Sequence, residues 1–283
     1  MSDARDPVAL AARLRAAGCV FAEDEAALLL AEDGDDAALD AMVARRCAGE
    51  PLETVLGWAR FAGLRVHVEP GVFVPRTRTE LLVDLVDELL ADGPDDALVV
   101  DLCCGTGAVG AAVAARHPAA QVHAADVDPA AVACARHNLP PDRVHAGDLL
   151  SALPGNLRGR VDVVVANAPY VPTAAIATMP PEARDHEARV ALDGGEDGLA
   201  VHRRIAEQVR PWLKVGGAVL VETSERQAPT TATLLAAQGL AVRVHRDDER
   251  DGTAVVGRLA GDGLSRPRAT WREPRRTVTR RLP

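Results

Sequence analysis

The run Val161-Asp162-Val163-Val164-Val165-Ala166 admits few folds. A β-branched stretch of this length reads as a buried strand. It ends on Asn167-Ala168-Pro169-Tyr170, and Tyr170 is the only tyrosine among 283 residues that carry seven aromatics in all. In open α/β sheets, ligands bind at the carboxyl ends of the strands. An Asn, a stiffened backbone and an aromatic ring at such an end can hold a planar NH2 group. The Asn side-chain oxygen and a backbone carbonyl accept its two hydrogens, and the ring stacks on its face. The same residues also make an ordinary Asn-Xaa-Pro turn, and taken alone the stretch leaves both readings open.

Sixty residues upstream, Leu98 to Leu102 form a short apolar strand, followed by Cys103-Cys104-Gly105-Thr106-Gly107 and a small-residue helix from Ala108. A strand, glycine turn and helix set free N–H groups against a nucleoside or phosphate. Gln121 to Asp126 is a second strand, ending in an acid about 20 residues after the glycines, where ribose hydroxyls would be bound. Asp128-Pro129 opens the next helix. Arg143 to Leu149 reads as a third strand, and its Asp148 suits an exocyclic amino group. Plain helix capping is the competing explanation of these acids.

In this order the parts resemble a class I S-adenosylmethionine-dependent methyltransferase. Four segments narrow the resemblance: Gly49 to Gly57, Phe73 to Glu80, the Asn-Ala-Pro-Tyr stretch, and His186 to Gly195. Together they are similar to the bacterial protein-glutamine N5-methyltransferases, the release-factor methyltransferases of the PrmC/HemK group. The match runs from about residue 45 to about 260.

The resemblance implies an α/β fold, a Rossmann-like seven-stranded sheet with a small helical N-terminal domain and a linking hairpin. The expected boundaries are 1–56 for the helical domain, 57–78 for the hairpin, 79–261 for the methyltransferase domain and 262–283 for a basic, disordered tail. The implied cofactor is S-adenosyl-L-methionine, held by Cys103, Cys104, Gly105, Thr106, Gly107, Asp126, Asp148, Leu149 and Asn167. By the same resemblance, Asn167, Ala168, Pro169 and Tyr170 are expected to carry catalysis and bind the substrate amide, and on family analogy Glu187 is expected to orient the target chain. Two departures mark a divergent paralogue. Ala168 stands where the family motif is usually Asn-Pro-Pro-Tyr, and Cys103-Cys104 stand where Gly-Thr or similar is usual. They bear on the protein substrate more than on the chemistry.

Composition sets bounds on partners. The net charge is −9, yet residues 262–283 hold seven arginines and two acids, so the remaining body carries −14. So acidic a body argues against a nucleic-acid groove, which must neutralise phosphates, and leaves RNA contact at most to the tail. No apolar run is long enough to span a membrane, and the start lacks a signal peptide's apolar core, so the cytoplasm is the expected place. The five cysteines show no paired metal spacing. No two of the eight histidines recur at ligand spacing either, so no residue is assigned to a metal.

Along the chain, helical spacing is expected over Val8–Ala17, Asp24–Ala31, Asp36–Ala48, Thr79–Leu90, Gly198–Leu213 and Thr230–Gln238. The hairpin's expected buried positions are Trp58, Phe61, Leu64, Val66 and Val68. Gly216-Gly217 reads as a turn before a strand from Ala218 to Thr223. Leu240–Val244 and Thr253–Leu259 read as an antiparallel pair. The function that follows is methylation of a glutamine side-chain amide in a protein, with a translation release factor as the partner. Two alternatives stand beside it: an adenine-N6 or guanine-N2 nucleic-acid methyltransferase, and a non-catalytic cofactor-binding paralogue.

Overall fold

Four helices open the chain in the computed structural model, which describes residues 5–261. They are α1 (Pro7–Ala16), α2 (Ala22–Ala31), α3 (Asp36–Cys47) and the short α4 (Leu52–Leu56). Asp6 and Asp35 cap α1 and α3 by accepting the amides of Val8 and Ala38, which satisfies donors that a helix start leaves free. Leu10, Leu14, Leu29, Leu39 and Val43 close a core of their own. A buried Arg46–Glu25 pair, bonded at 2.6 and 3.1 Å, crosses it. Removing Arg46 would strand the buried Glu25 carboxylate, whereas Arg46 also pairs with Glu182 at 2.7 Å.

An antiparallel hairpin follows, β1 (Trp58–Phe61) and β2 (Leu64–His67). Phe61, Val66 and Val68 are buried as expected. Trp58 and Leu64 are only half-buried. The indole N–H of Trp58 reaches Glu32 at 2.8 Å, and the Arg65 guanidinium covers its ring at 3.9 Å. A polar handle and a cationic lid keep the ring at the rim.

The helix α5 (Glu80–Leu90) leads into alternating strands and helices. These are β3 (Leu98–Leu102), α6 (Ala108–Arg116), β4 (Gln121–Asp126), α7 (Pro129–Asn138), β5 (Val144–Ala146) and β6 (Val161–Ala166). Next come α8 (Pro181–His186), α9 (Arg189–Leu192), α10 (Ala200–Val209), β7 (Leu213–Glu222) and α11 (Ala228–Ala237). The pair β8 (Leu240–Asp247) and β9 (Gly252–Leu259) closes the sheet. Its order is β5-β4-β3-β6-β7-β9-β8, with β9 antiparallel to both neighbours. Apolar layers cover both faces, which is why the strand sequences are continuous rather than alternating. The winding reverses between β3 and β6, and a crevice opens at that switch point.

The sequence expectations need three corrections. The third strand pairs only over Val144–Ala146, so it ends two residues before Asp148. Gly216 and Gly217 lie inside β7, which starts at Leu213, and the β6–β7 register shifts between Val161 and Val163. A side chain at Gly217 would stand 2.7 Å from the Val161 carbonyl, so the bulge needs a glycine there. The helix expected from Gly198 to Leu213 covers only Ala200–Val209. Among the described residues no helix is long and apolar enough to cross a membrane. The expected basic tail, 262–283, lies outside the described residues.

Candidate active site

Strand register assembles the site. Leu102 of β3 pairs with Ala125 of β4 on one side and with Ala166 of β6 on the other. The next residues, Cys103, Asp126 and Asn167, therefore leave the sheet side by side. All three line one cleft, together with Phe73, Arg76, Arg78, Thr79, Gly105, Thr106, Ala168, Pro169, Tyr170 and Glu187. A second, adjoining pocket is lined by Asp148, Leu149, Arg189 and Arg204, and shares Cys103, Asp126, Val127, Pro169 and Val190 with the first.

On the glycine-loop side, Asp126 accepts the amides of Gly105 and Asp128, each at 2.9 Å, one on each carboxylate oxygen. A carboxylate offers about four lone-pair sites and so keeps acceptor capacity, and Asp126 lines the cleft. Burial raises this carboxyl above its usual range. Cys103 has φ 52°, a left-handed value that costs a side chain roughly 1–2 kcal/mol. Burial pushes both the Cys103 and Cys104 thiols up, so each stays protonated and neither is a nucleophile.

Asp101 lies beneath the loop, buried, and accepts the Gly110 amide at 2.9 Å. Burial raises its carboxyl from 3.8 to about 8. An acid raised on folding binds more protons folded than unfolded between those values, so stability falls as pH climbs through that window. Asp101→Asn should remove this component. Urea unfolding near the lower and upper ends of the window should then show a larger loss with rising pH in the unaltered chain than in the variant. Equal losses would mean that Asp101 does not titrate there.

On the β6 side, the Asn167 amide nitrogen donates to Thr79 Oγ1 at 3.1 Å. That bond orients the side chain and leaves its carbonyl oxygen free to accept. The Tyr170 hydroxyl reaches Glu222 Oε1 at 3.4 Å, and Arg78 Nε reaches the same oxygen at 3.3 Å. Burial and the Glu222 charge push the phenol up to about 12, so Tyr170 stays neutral. From below, Gln227 donates to the carbonyls of Tyr170 (3.0 Å) and Asp197 (3.1 Å). Gly198 sits against this junction at φ 77°, and a Cβ there would stand 2.3 Å from the Tyr170 carbonyl oxygen. Val171 and Gly194 add a backbone bond at 2.8 Å. The Asp193-Gly194-Gly195 stretch therefore braces the Asn-Ala-Pro-Tyr turn.

Ala168 is buried with its methyl in the core, and its N–H donates to no acceptor among the described residues. Proline at this position would lose no hydrogen bond and would pre-set φ. Ala168→Pro should keep or modestly raise activity. A folded variant a hundredfold slower would mean that the turn has a different working geometry.

Glu187 lines the cleft but is committed to its wall. Its Oε1 accepts the Val74 amide at 3.2 Å and pairs with the Arg76 guanidinium. Its Oε2 is buried with no partner among the described residues, and burial raises the carboxyl. Glu187 thus ties the Phe73–Arg76 segment to the turn before α9. Asp148 faces the second pocket, half-exposed and paired with Arg204. Leu149 is buried beside it at φ 49°.

These features fit a nucleoside-bearing cation. Acids flank the loop, Val127 and Val190 offer exposed apolar surface at the second pocket, and Asp126 keeps open acceptor positions. Sequence reasoning missed Thr79, Arg78, Glu222 and Gln227 as parts of the site. Glu222 could have been flagged as the acid at the carboxyl end of a strand. Thr79 and Arg78 lie in the Phe73–Glu80 segment of the resemblance, but nothing local gives either a role.

Comparison with known proteins follows the same outline. The family described as Methyltransferase small domain matches residues 63–201. A release factor glutamine methyltransferase from Streptomyces coelicolor is 42% identical over 189 residues, covering 66% of this chain and 67% of that one. Others of that description, from Geobacter sulfurreducens and Mycolicibacterium smegmatis, are 36% and 40% identical. A 4-amino-L-phenylalanine/4-methylamino-L-phenylalanine methyltransferase from Streptomyces pristinaespiralis is 36% identical, covering 70% of this chain and 69% of that one. Among solved structures, a methyltransferase from Pyrococcus furiosus aligns with TM-score 0.51 at 16% identity, over 70% of this chain and 90% of that one. That likeness concerns the fold alone.

Proposed function

The chain belongs to the release factor glutamine methyltransferase family, and on that premise we propose that it methylates the glutamine side-chain amide of a Gly-Gly-Gln loop in a translation release factor. It is an S-adenosyl-L-methionine-dependent protein-glutamine N5-methyltransferase. The observation that carries the proposed geometry is the Thr79–Asn167 bond, which fixes a free amide oxygen at the carboxyl end of β6.

The loop 103–107, Asp126 and the Asp148-Leu149 turn would hold S-adenosyl-L-methionine, and its sulfonium supplies an electrophilic methyl group when bound. The chain's own contribution is positioning. Asn167 Oδ1 and the Ala168 carbonyl accept the two hydrogens of the target amide. They orient a nitrogen whose lone pair is otherwise delocalised, and they stabilise positive charge as it forms there. Pro169 restricts Ala168 to extended conformations, which keeps that carbonyl aimed. Tyr170 packs on the amide face. No side chain of the cradle is set to take a proton. The phenol is neutral, and Glu222, although its Oε2 is buried without a partner among the described residues and burial raises its carboxyl, stands behind Tyr170 and does not line the cleft. The proton leaves to solvent.

The same reading divides the chain into a helical domain (1–56), a linking hairpin (57–78) and a methyltransferase domain (79–261). The separate core of α1–α4 supports the first boundary. The proposed place of action is the cytoplasm. The relative that bears a free amino acid's name favours a second reading, a small planar amine as acceptor. Incubation with labelled S-adenosyl-L-methionine in a bacterial lysate, with and without RNase, separates these readings. A labelled protein band that survives RNase supports the proposal. Label that RNase removes favours nucleic acid, and label confined to the small-molecule fraction favours the amine.

A further inference from the structure

Outside the cleft, tertiary folding brings together three side chains that the sequence keeps apart. His67 ends β2, Glu69 follows two residues later, and His137 lies in the last turn of α7. One donor atom from each falls within 4.8 Å of the others. Glu69 Oε1 is 3.4 Å from His67 Nε2 and 3.5 Å from His137 Nε2. These spacings are long for charge-assisted hydrogen bonds, which favour roughly 2.7–2.9 Å. They match the edge of a tetrahedron around a zinc ion, since bonds of about 2.0–2.1 Å set neighbouring ligand atoms about 3.3–3.4 Å apart.

The position of His67 is fixed independently of any ion. Asn138, adjacent to His137, accepts the His67 amide at 2.9 Å and donates to its carbonyl at 3.0 Å. The Cys134 thiol also donates to that carbonyl at 3.5 Å. The Asn138 amide further reaches the Thr106 carbonyl at 2.8 Å, joining the cluster to the glycine loop. These bonds fix the His67 backbone against α7. His137 is the most open of the three, with 60% of its side chain exposed, which leaves room for an ion to enter and for water to complete the coordination.

We propose that His67, Glu69 and His137 bind one divalent cation of borderline softness, Zn2+ in type, clamping the hairpin to α7 beside the cofactor loop. Imidazole nitrogen with a single carboxylate selects such an ion over Mg2+ or Ca2+, which take oxygen ligands.

Calorimetric titration of the full chain, stripped with a chelator and then given zinc chloride, tests this. One equivalent should bind. His137→Ala and Glu69→Gln, both at partly exposed positions, should each lose it while keeping the unaltered melting temperature in chelator. His145→Ala, at the stacked His123–His145 pair, should retain it. Zinc should raise the melting temperature of the unaltered chain and of His145→Ala, and leave the other two unmoved. No bound equivalent in the unaltered chain, or an equivalent that His137→Ala and Glu69→Gln keep with the same affinity, would overturn the site.

Discussion

Asn167→Ala should leave S-adenosyl-L-methionine affinity nearly intact and lower turnover by roughly 10²-fold or more, as removing one pre-organised polar group does. The reasoning starts from the bond to Thr79, which uses the amide nitrogen of Asn167 and reserves its oxygen. In the proposed cradle that oxygen is one of only two acceptors for the target's hydrogens. Truncation removes it while leaving the glycine loop's own bond, Gly105 N–H to Asp126, in place. The loss should therefore fall on kcat rather than on cofactor binding. Single-turnover kinetics together with cofactor calorimetry on a folded variant makes the check. Turnover within a fewfold of the unaltered chain would take Asn167 out of the chemistry.

The converse pattern is expected at β4. Asp126→Ala should weaken S-adenosyl-L-methionine binding by on the order of 2–4 kcal/mol, since a charged acceptor for two ribose hydroxyls is lost. That corresponds to roughly 30- to 1000-fold in Kd. The carboxylate also holds the amides of Gly105 and Asp128, so part of the effect comes from a loosened loop. Calorimetry reads the change. Unchanged affinity in a variant that still unfolds cooperatively would reject the ribose assignment.

How much of this was legible in the sequence depended on the range of the interactions. The strands around Val99, Val122 and Val164 announced themselves by local runs of β-branched and small residues, and Pro129 after Asp128 marked a helix start. Because all three strands are parallel neighbours, placing residues 103, 126 and 167 at their carboxyl ends was enough to bring those residues together. The third strand is shorter than Arg143 to Leu149 because only Val144–Ala146 finds a partner on β4, and Gly147-Asp148 turns away from the ladder. Gly216-Gly217 reads as a turn because paired glycines usually are, whereas the structure explains Gly217 by its approach to Val161 at the bulge and Gly216 by its φ of 85°.

The supports of the site were hidden for another reason. Thr79 meets Asn167 across 88 residues, and Glu222 meets Tyr170 across 52. No periodicity or spacing encodes such contacts. Glu187 was assigned to the target chain by family analogy, whereas its Oε1 is taken by Val74 and Arg76 within the cleft wall. The histidines show the same limit. No ligand spacing exists along the chain, yet α7 lays His137 beside His67 and Glu69.

The central claim is that the cradle at 167–170 transfers a methyl group to a release factor's glutamine. Its most direct test incubates the purified chain with S-adenosyl-L-methionine and an unmethylated bacterial release factor, then takes the intact mass and maps the peptides. The account predicts a mass gain of a single methyl for a single hydrogen on the release factor. It should lie on the glutamine of the Gly-Gly-Gln loop and be missing when Asn167→Ala replaces the unaltered chain. A release factor of unchanged mass in the presence of a chain that binds the cofactor, or a methyl mapped to any other side chain, would contradict it.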